Sequence, residues 1–89
     1  MEDYLEVWQG IVGIGSWSRK FFILNENVLT YCSEKGGDTE GKVHLQIAQV
    51  VDDNPSKPTF ELNNGMEVMK IRAESVDKKS RWISALLDN

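Results

Sequence analysis

The chain has 89 residues, of which 40% are apolar and 27% charged, a composition typical of one small globular domain and unlike that of disordered or fibrous chains. The net charge of −4 argues against non-specific nucleic-acid binding, because such binding usually requires a basic field over the domain. The single cysteine, Cys32, excludes an internal disulfide, and no apolar run approaches the roughly 18 residues that span a bilayer. We therefore expect a cytoplasmic domain.

The N-terminal quarter of the chain predicts two strands separated by an apolar, glycine-rich loop. Residues 4–12 alternate so that Leu5 and Val7 share one face, and residues 17–24 alternate so that Lys20 shares a face with Phe22. The connection is expected to be flexible, because three glycines alternate in it with large aliphatic residues: Gly10, Ile11, Val12, Gly13, Ile14 and Gly15. A basic residue in line with a core face, close to such a loop, indicates a surface that attracts anions.

The middle of the chain predicts further short strands joined by turns. The strands are expected at residues 28–32, 42–45, 48–52, 59–62 and 66–73. In the last of them, Met69 and Ile71 alternate with Lys70 and Arg72, which gives one buried and one solvated face. Residues 33–40 contain two glycines and no periodicity, which predicts a mobile loop.

The C-terminal segment changes to a helical period. Ser75 can cap a helix that has Asp77 near its positive end, and Trp82 and Leu86 recur at helical spacing. The predicted helix is amphipathic and ends at Leu87. The basic residues early on it are assigned to a solvated face: Lys78, Lys79 and Arg81. Antiparallel strands followed by one helix indicate an α+β, mainly β, partly open barrel.

Four motifs in order resemble pleckstrin homology (PH) domains: residues 5–8 (LEVW), 17–24 (WSRKFFIL), 28–31 (VLTY) and 81–86 (RWISAL). The chain looks closest to the PH domains of oxysterol-binding proteins, ceramide-transfer protein and the four-phosphate adaptors. The resemblance covers residues 1–89 as a single PH-like domain. It implies a bent, barrel-like sandwich of seven antiparallel strands, capped by one C-terminal amphipathic helix with Trp82 buried against the sheets.

By this resemblance, the open end of the fold binds the head group of phosphatidylinositol 4-phosphate, and an apolar first loop inserts into the bilayer. The head-group residues carried over by position are Lys20, Arg19 and His44, and the inserting residues are Ile11, Val12 and Ile14. The resemblance further implies a monomer that is peripheral on Golgi or other internal membranes and belongs to a lipid-transfer protein.

Two positions depart from the phosphate-binding pattern of PH domains, which leaves a second function open. Val7 stands where the family's first-strand lysine is expected, and Ser18 stands at another basic position. Losing one charge-assisted hydrogen bond, which contributes roughly 1.5 to 3 kcal/mol, weakens binding by about ten- to a hundredfold. The alternative is therefore a protein-interaction module that binds a small GTPase or a peptide.

An enzyme is the least favoured class. The sequence has one histidine, one cysteine and no cluster with metal-ligand spacing. Gly13 and Gly15 lack the third glycine of a dinucleotide-binding fingerprint, since Ser18 occupies that position. We therefore expect no catalytic residue, no metal and no cofactor.

Overall fold

The computed structural model describes residues 1–11 and 13–88, without the side chain of Ile11. Within these residues the chain forms seven strands and one α-helix, with a 3₁₀ turn (Leu45–Ile47) between β4 and β5. The elements are β1 (Glu2–Ile11), β2 (Ile14–Asn25), β3 (Val28–Cys32), β4 (Thr39–His44), β5 (Gln49–Val51), β6 (Thr59–Asn63), β7 (Val68–Arg72) and α1 (Val76–Leu87). The expected fold class is confirmed.

The strands form one antiparallel sheet in the order β4-β3-β2-β1-β7-β6-β5. Strand β1 joins the two halves of this sheet. It pairs with β2 along its whole length, but with β7 only at Glu6 and Val7. The helix packs against β5 and β6.

The core lies on one face of the sheet, which we call the inner face, and beneath the helix. The alternation of the strands places their apolar residues there, as the sequence predicts for Met69 and Ile71. Trp82 and Leu86 of α1 complete the core, and the predicted burial of Trp82 is confirmed. The core consists of Leu5, Val7, Phe22, Leu24, Leu29, Val43, Phe60, Leu62, Met69, Ile71, Ala73, Trp82 and Leu86.

The first hairpin has a shorter connection than the glycine-rich segment of residues 10–15 suggests. Strands β1 and β2 stay paired as far as Ile11 and Ile14, so only two residues connect them, and Val12 lies outside the described residues. Gly10 has a positive φ of 148°, and a Cβ there would overlap the backbone of Ile14. Its lack of a side chain thus permits close strand pairing rather than mobility.

Strand β4 begins earlier than expected, inside the predicted mobile loop. Tyr31 pairs with Gly41 and Cys32 pairs with Thr39, so Glu40 is an extra residue at a β-bulge. A Cβ on Gly41 would overlap the Tyr31 ring, so the absence of a side chain lets that ring lie against the strand. The sequence pattern missed this irregular pairing because a bulge breaks the period-2 alternation.

The helix begins as predicted, but one of its lysines does not lie on the solvated face. The Ser75 hydroxyl accepts a hydrogen bond from the backbone N–H of Lys78 at 3.2 Å, which caps the first turn. Lys79 is only 1% exposed, and its Nζ donates to Asp52 Oδ1 at 2.9 Å and to the Asn54 carbonyl at 3.0 Å. The assignment of Lys79 to solvent was wrong, because it shares the helical stripe of Trp82, three residues on.

Candidate functional site at the open end of the sheet

Three connections project from the same end of the sheet: the β1–β2 hairpin, the β3–β4 connection (residues 33–38) and the β6–β7 turn (residues 64–67). Antiparallel neighbours place alternate connections at the same end of a sheet. We call this end the open end. The β1–β2 and β6–β7 connections border one groove of about 700 Å³, which Gly13 and Glu67 line from the two sides.

Lys20 lies on the inner face towards the open end, two residues before the buried Phe22 on β2. Its Nζ donates a hydrogen bond to Glu40 Oε1 at 2.8 Å, and Glu40 Oε2 accepts another from the Ser33 hydroxyl. The bond from Lys20, and then that from Ser33, hold the pKa of the Glu40 carboxyl below its ordinary value of 4.5. The cation of the predicted anion site is thus paired with a carboxylate of the same chain.

The cross-strand pair next to Lys20, formed by Val7 and Ser18, contributes one hydroxyl group and no charged group to the site. Val7 on β1 faces Ser18 on β2, and the Ser18 hydroxyl donates to Gln9 Oε1 at 3.0 Å. These are the two positions where the sequence departs from the family's basic pattern. A bound anion would therefore find hydroxyl and ammonium donors here, with Lys20 as the charged one.

Arg19 and Lys20 project to opposite faces of β2, so the structure does not bring these two predicted head-group residues together. The Arg19 guanidinium lies 3.9 Å from the centroid of the Tyr4 ring on the outer face. Beside it, Arg72 makes a bidentate ion pair with Glu6 at 2.9 and 3.1 Å. The hydrogen bond from Arg72 is the main cause that lowers the pKa of Glu6 from 4.5. Arg19 thus belongs to a network of the outer face.

His44 is exposed at the opposite end of the sheet from Lys20. It pairs with Val28, which itself pairs with Asn25 at the far end of β2. The structure therefore does not bring His44 together with Lys20. Antiparallel pairing carries the C-terminal end of β4 away from the three connections of the open end.

The apolar residues of the first hairpin are only partly described. The Ile14 side chain is 71% exposed at the tip of the open end. The backbone of Ile11 pairs with Ile14, whereas the Ile11 side chain and the whole of Val12 lie outside the described residues. Among the three predicted inserting residues, exposure is therefore observed for Ile14.

The β6–β7 turn adds an exposed apolar residue that the sequence reasoning did not single out. Met66 is 95% exposed, although the sequence pattern placed it inside a strand. Asn63 Oδ1 accepts from the Gly65 N–H, and Asn64 Oδ1 accepts from the N–H groups of Met66 and Glu67, each at 2.9 Å. The signal available was the Asn-Asn-Gly turn itself, whose side chains satisfy the backbone around a methionine at the tip.

Two features are absent from the described part of the chain. No group of three or more His, Cys, Asp or Glu side chains there could hold a metal ion. In the same residues, no helix is long and apolar enough to cross a membrane.

The antiparallel seven-stranded sheet closed by a C-terminal helix defines a class of small β-rich modules, and the comparisons give the family. The family model described as "PH domain" matches residues 1–89, and the chain belongs to this family. PH domains are generally non-catalytic modules that often bind phosphoinositides or proteins. A comparison with curated proteins found no match.

Solved PH domains share the fold at low sequence identity. The PH domain of human TBC1 domain family member 2 is 19% identical with a TM-score of 0.84, over 98% of this chain and 76% of that one. The PH domain of human oxysterol-binding protein-related protein 11 is 26% identical with a TM-score of 0.75, over 97% and 75%. The C-terminal PH domain of pleckstrin, in complex with an inositol pentakisphosphate, is 23% identical with a TM-score of 0.80, over 98% and 90%.

Proposed function

We propose that this PH domain is a membrane-targeting module that binds phosphoinositide head groups, with phosphatidylinositol 4-phosphate as the preferred lipid. The observation that carries the proposal is that Lys20 and Ile14 lie on one strand and one face, with Ile14 at the tip of the open end and Lys20 six residues further along β2. The ammonium group supplies a charge-assisted contact to a phosphate, and Ile14 enters the bilayer with the neighbouring Ile11 and Val12.

Membrane affinity in this proposal comes from local contacts rather than from the overall charge. The net charge of −4 opposes attraction to an anionic leaflet. Burying one apolar side chain in the bilayer contributes about 1.5 to 3 kcal/mol to the binding free energy. Ile14 and Met66 together can therefore hold the domain on the membrane. The hydrogen bonds within the β6–β7 turn lower the cost of bringing its backbone into an apolar environment.

Two of the similar structures support the ligand class and the subgroup. The pleckstrin domain was determined with a bound inositol phosphate, which is the chemistry proposed for Lys20. The 26% identity to an oxysterol-binding protein-related domain agrees with the subgroup that the motifs resemble. We extend the proposal to a lipid-transfer parent protein located at the Golgi or another internal membrane.

The test is flotation of the purified domain with phosphatidylcholine vesicles that contain or lack phosphatidylinositol 4-phosphate. We expect Ile14→Asp to abolish flotation with both vesicles, because a carboxylate cannot enter the bilayer. Lys20→Glu should lose only the preference for the phosphorylated lipid, by about tenfold or more. Ile47→Asp is the matched control, since Ile47 is 70% exposed on the 3₁₀ turn, outside the three connections of the open end.

The proposal fails on either of two outcomes. The first is that the wild type floats equally with both kinds of vesicle. The second is that Lys20→Glu floats like the wild type. If Ile14→Asp and Ile47→Asp lose flotation equally, the first hairpin has no specific role in membrane binding.

The pairing of Lys20 with Glu40 favours a second candidate, a protein-interaction module that binds a small GTPase or a peptide. In this case Glu40 neutralises the ammonium of Lys20, and Val7 and Ser18 add no cation beside it. Capture of a nucleotide-loaded small GTPase by a domain that floats with neither vesicle would support it. Chemical-shift changes confined to the first hairpin on addition of lipid would exclude it.

A further inference from the structure

We propose that Glu40 is an internal anion that occupies the Lys20 site in the free domain and must be displaced before a phosphate binds there. This inference rests on the proposed phosphoinositide function. It identifies Glu40 as a residue that sets the affinity of the site.

The backbone directs Glu40 to this position. The bulge in β4 leaves Glu40 without a partner on β3, between the pairs of Tyr31 with Gly41 and of Cys32 with Thr39. A bulge adds one residue and so turns a side chain to the other face of the strand. In a regular strand Glu40 would lie opposite Cys32 and project outwards. Because of the bulge Thr39 takes that place, and the Glu40 carboxylate reaches Lys20 on the inner face.

The contacts of the carboxylate match those that a phosphate would use. One oxygen of Glu40 accepts from the Lys20 ammonium at 2.8 Å, and the other accepts from the Ser33 hydroxyl. A phosphomonoester that bound Lys20 with Glu40 in place would lie beside a second negative charge, on the ammonium of a lysine whose own side chain is largely buried. Like charges at such a separation repel, so the phosphate and the carboxylate compete for the same donors.

Protonation does not relieve this competition at neutral pH. The hydrogen bonds from Lys20 and from Ser33 both lower the pKa of the Glu40 carboxyl from 4.5, so the carboxyl group is ionised at neutral pH. The site opens only when the carboxylate moves away. The partial exposure of the Glu40 side chain, 37%, leaves it room to do so.

The experiment compares Glu40→Gln with Glu34→Gln. Glutamine keeps the shape of the side chain and a hydrogen bond to Ser33 but removes the charge. Glu34 is an exposed glutamate of the neighbouring β3–β4 connection, so its variant changes the net charge of the domain equally. The probe is inositol 1,4-bisphosphate, the soluble head group, titrated by calorimetry at fixed ionic strength into domains whose fold is verified by amide NMR spectra.

We expect Glu40→Gln to bind the head group about three- to fivefold more tightly than the wild type, and Glu34→Gln to stay within about 1.5-fold. Adding Lys20→Met to Glu40→Gln should abolish the gain, because the released ammonium is then missing.

Two results overturn the inference while the proposed function stands: a wild type that binds as tightly as Glu40→Gln, or a gain that persists without Lys20. If the wild type and both single variants fail to bind the head group, the proposed function itself is refuted.

Discussion

Lys79 shows at the residue scale how a charged group can be part of a core. Its aliphatic stem lies in the helical stripe of Trp82, while its Nζ reaches Asp52 and two backbone carbonyls, of Asn54 and Thr59. A buried charge is tolerated when it is paired and its protons are bonded. Through these contacts, one side chain ties α1 to the end of β5 and to the start of β6.

We expect Lys79→Ala to lower the free energy of unfolding by about 2 to 4 kcal/mol, because it deletes packing and leaves Asp52 without its cation. Lys79→Met keeps the apolar stem and should lose less. Arg81→Ala, on the exposed side of the helix, should change stability by no more than about 0.5 kcal/mol. Urea denaturation of the three variants measures this, and equal effects of Lys79→Ala and Arg81→Ala would contradict it.

At the scale of elements, the β4 bulge places the Glu40 carboxylate beside Lys20. The helix, by contrast, follows its local signals, since Ser75 and Asp77 begin it where expected. The bulge depends on a tertiary contact, because the Tyr31 ring lies where Gly41 has no side chain. The bulge that brings Glu40 to Lys20 therefore lies next to an aromatic ring of β3, the strand between β4 and β2.

Gly41→Ala should destabilise the domain by about 1 to 3 kcal/mol, since the new methyl group overlaps the Tyr31 ring. The matched test introduces the same change in a Tyr31→Leu background, where the ring is absent. The cost should then fall, giving a coupling energy of about 0.5 to 3 kcal/mol between the two positions in a double-mutant cycle. Additive effects in thermal denaturation would mean that the ring and the glycine are independent.

For the whole molecule, ion pairs on both faces of the sheet make stability depend on pH. Arg72 lowers the pKa of Glu6 on the outer face, and Lys20 lowers that of Glu40 on the inner face. On the helix, the hydrogen bond that Lys78 donates to the Glu74 carboxylate, and then the charge of Asp3, raise the pKa of Lys78 from 10.5. The carboxylates of Glu6 and Glu40, whose pKa values are lowered, stabilise the fold at neutral pH and lose this effect in acid. The Lys78 ammonium, whose pKa is raised, loses its stabilising effect in alkali.

The free energy of unfolding should fall as the pH decreases below about 4.5, because the unfolded chain then takes up protons that the folded carboxylates bind more weakly. Glu6→Gln should flatten this decline, since the titrating group is removed, and Glu34→Gln should not. Urea titrations at a series of pH values measure the slope. An unchanged slope in Glu6→Gln would show that the Arg72 pair contributes nothing to acid stability.

The sequence predicted those features that depend on local pattern. Alternation identified the buried face of β7 and the faces of Lys20 and Phe22, and the cap at Ser75 located the helix. It failed where a distant partner decides the environment. The local pattern predicts a solvated Lys79, because it does not show that the fold brings Asp52 to the ammonium group. The grouping of His44 with Lys20 came from the family resemblance, and the sheet does not bring these two residues together.

The amino-acid sequence by itself determined the seven strands, the capping helix and the position of Lys20 on the core face. These features depend on the hydrophobic periodicity and on the turn residues, which are local properties of the chain. Only the tertiary structure decided what Lys20 meets. Pairing of β3 with β4 across a bulge brings the Glu40 carboxylate to 2.8 Å from the ammonium, a contact between residues twenty positions apart that no local pattern encodes.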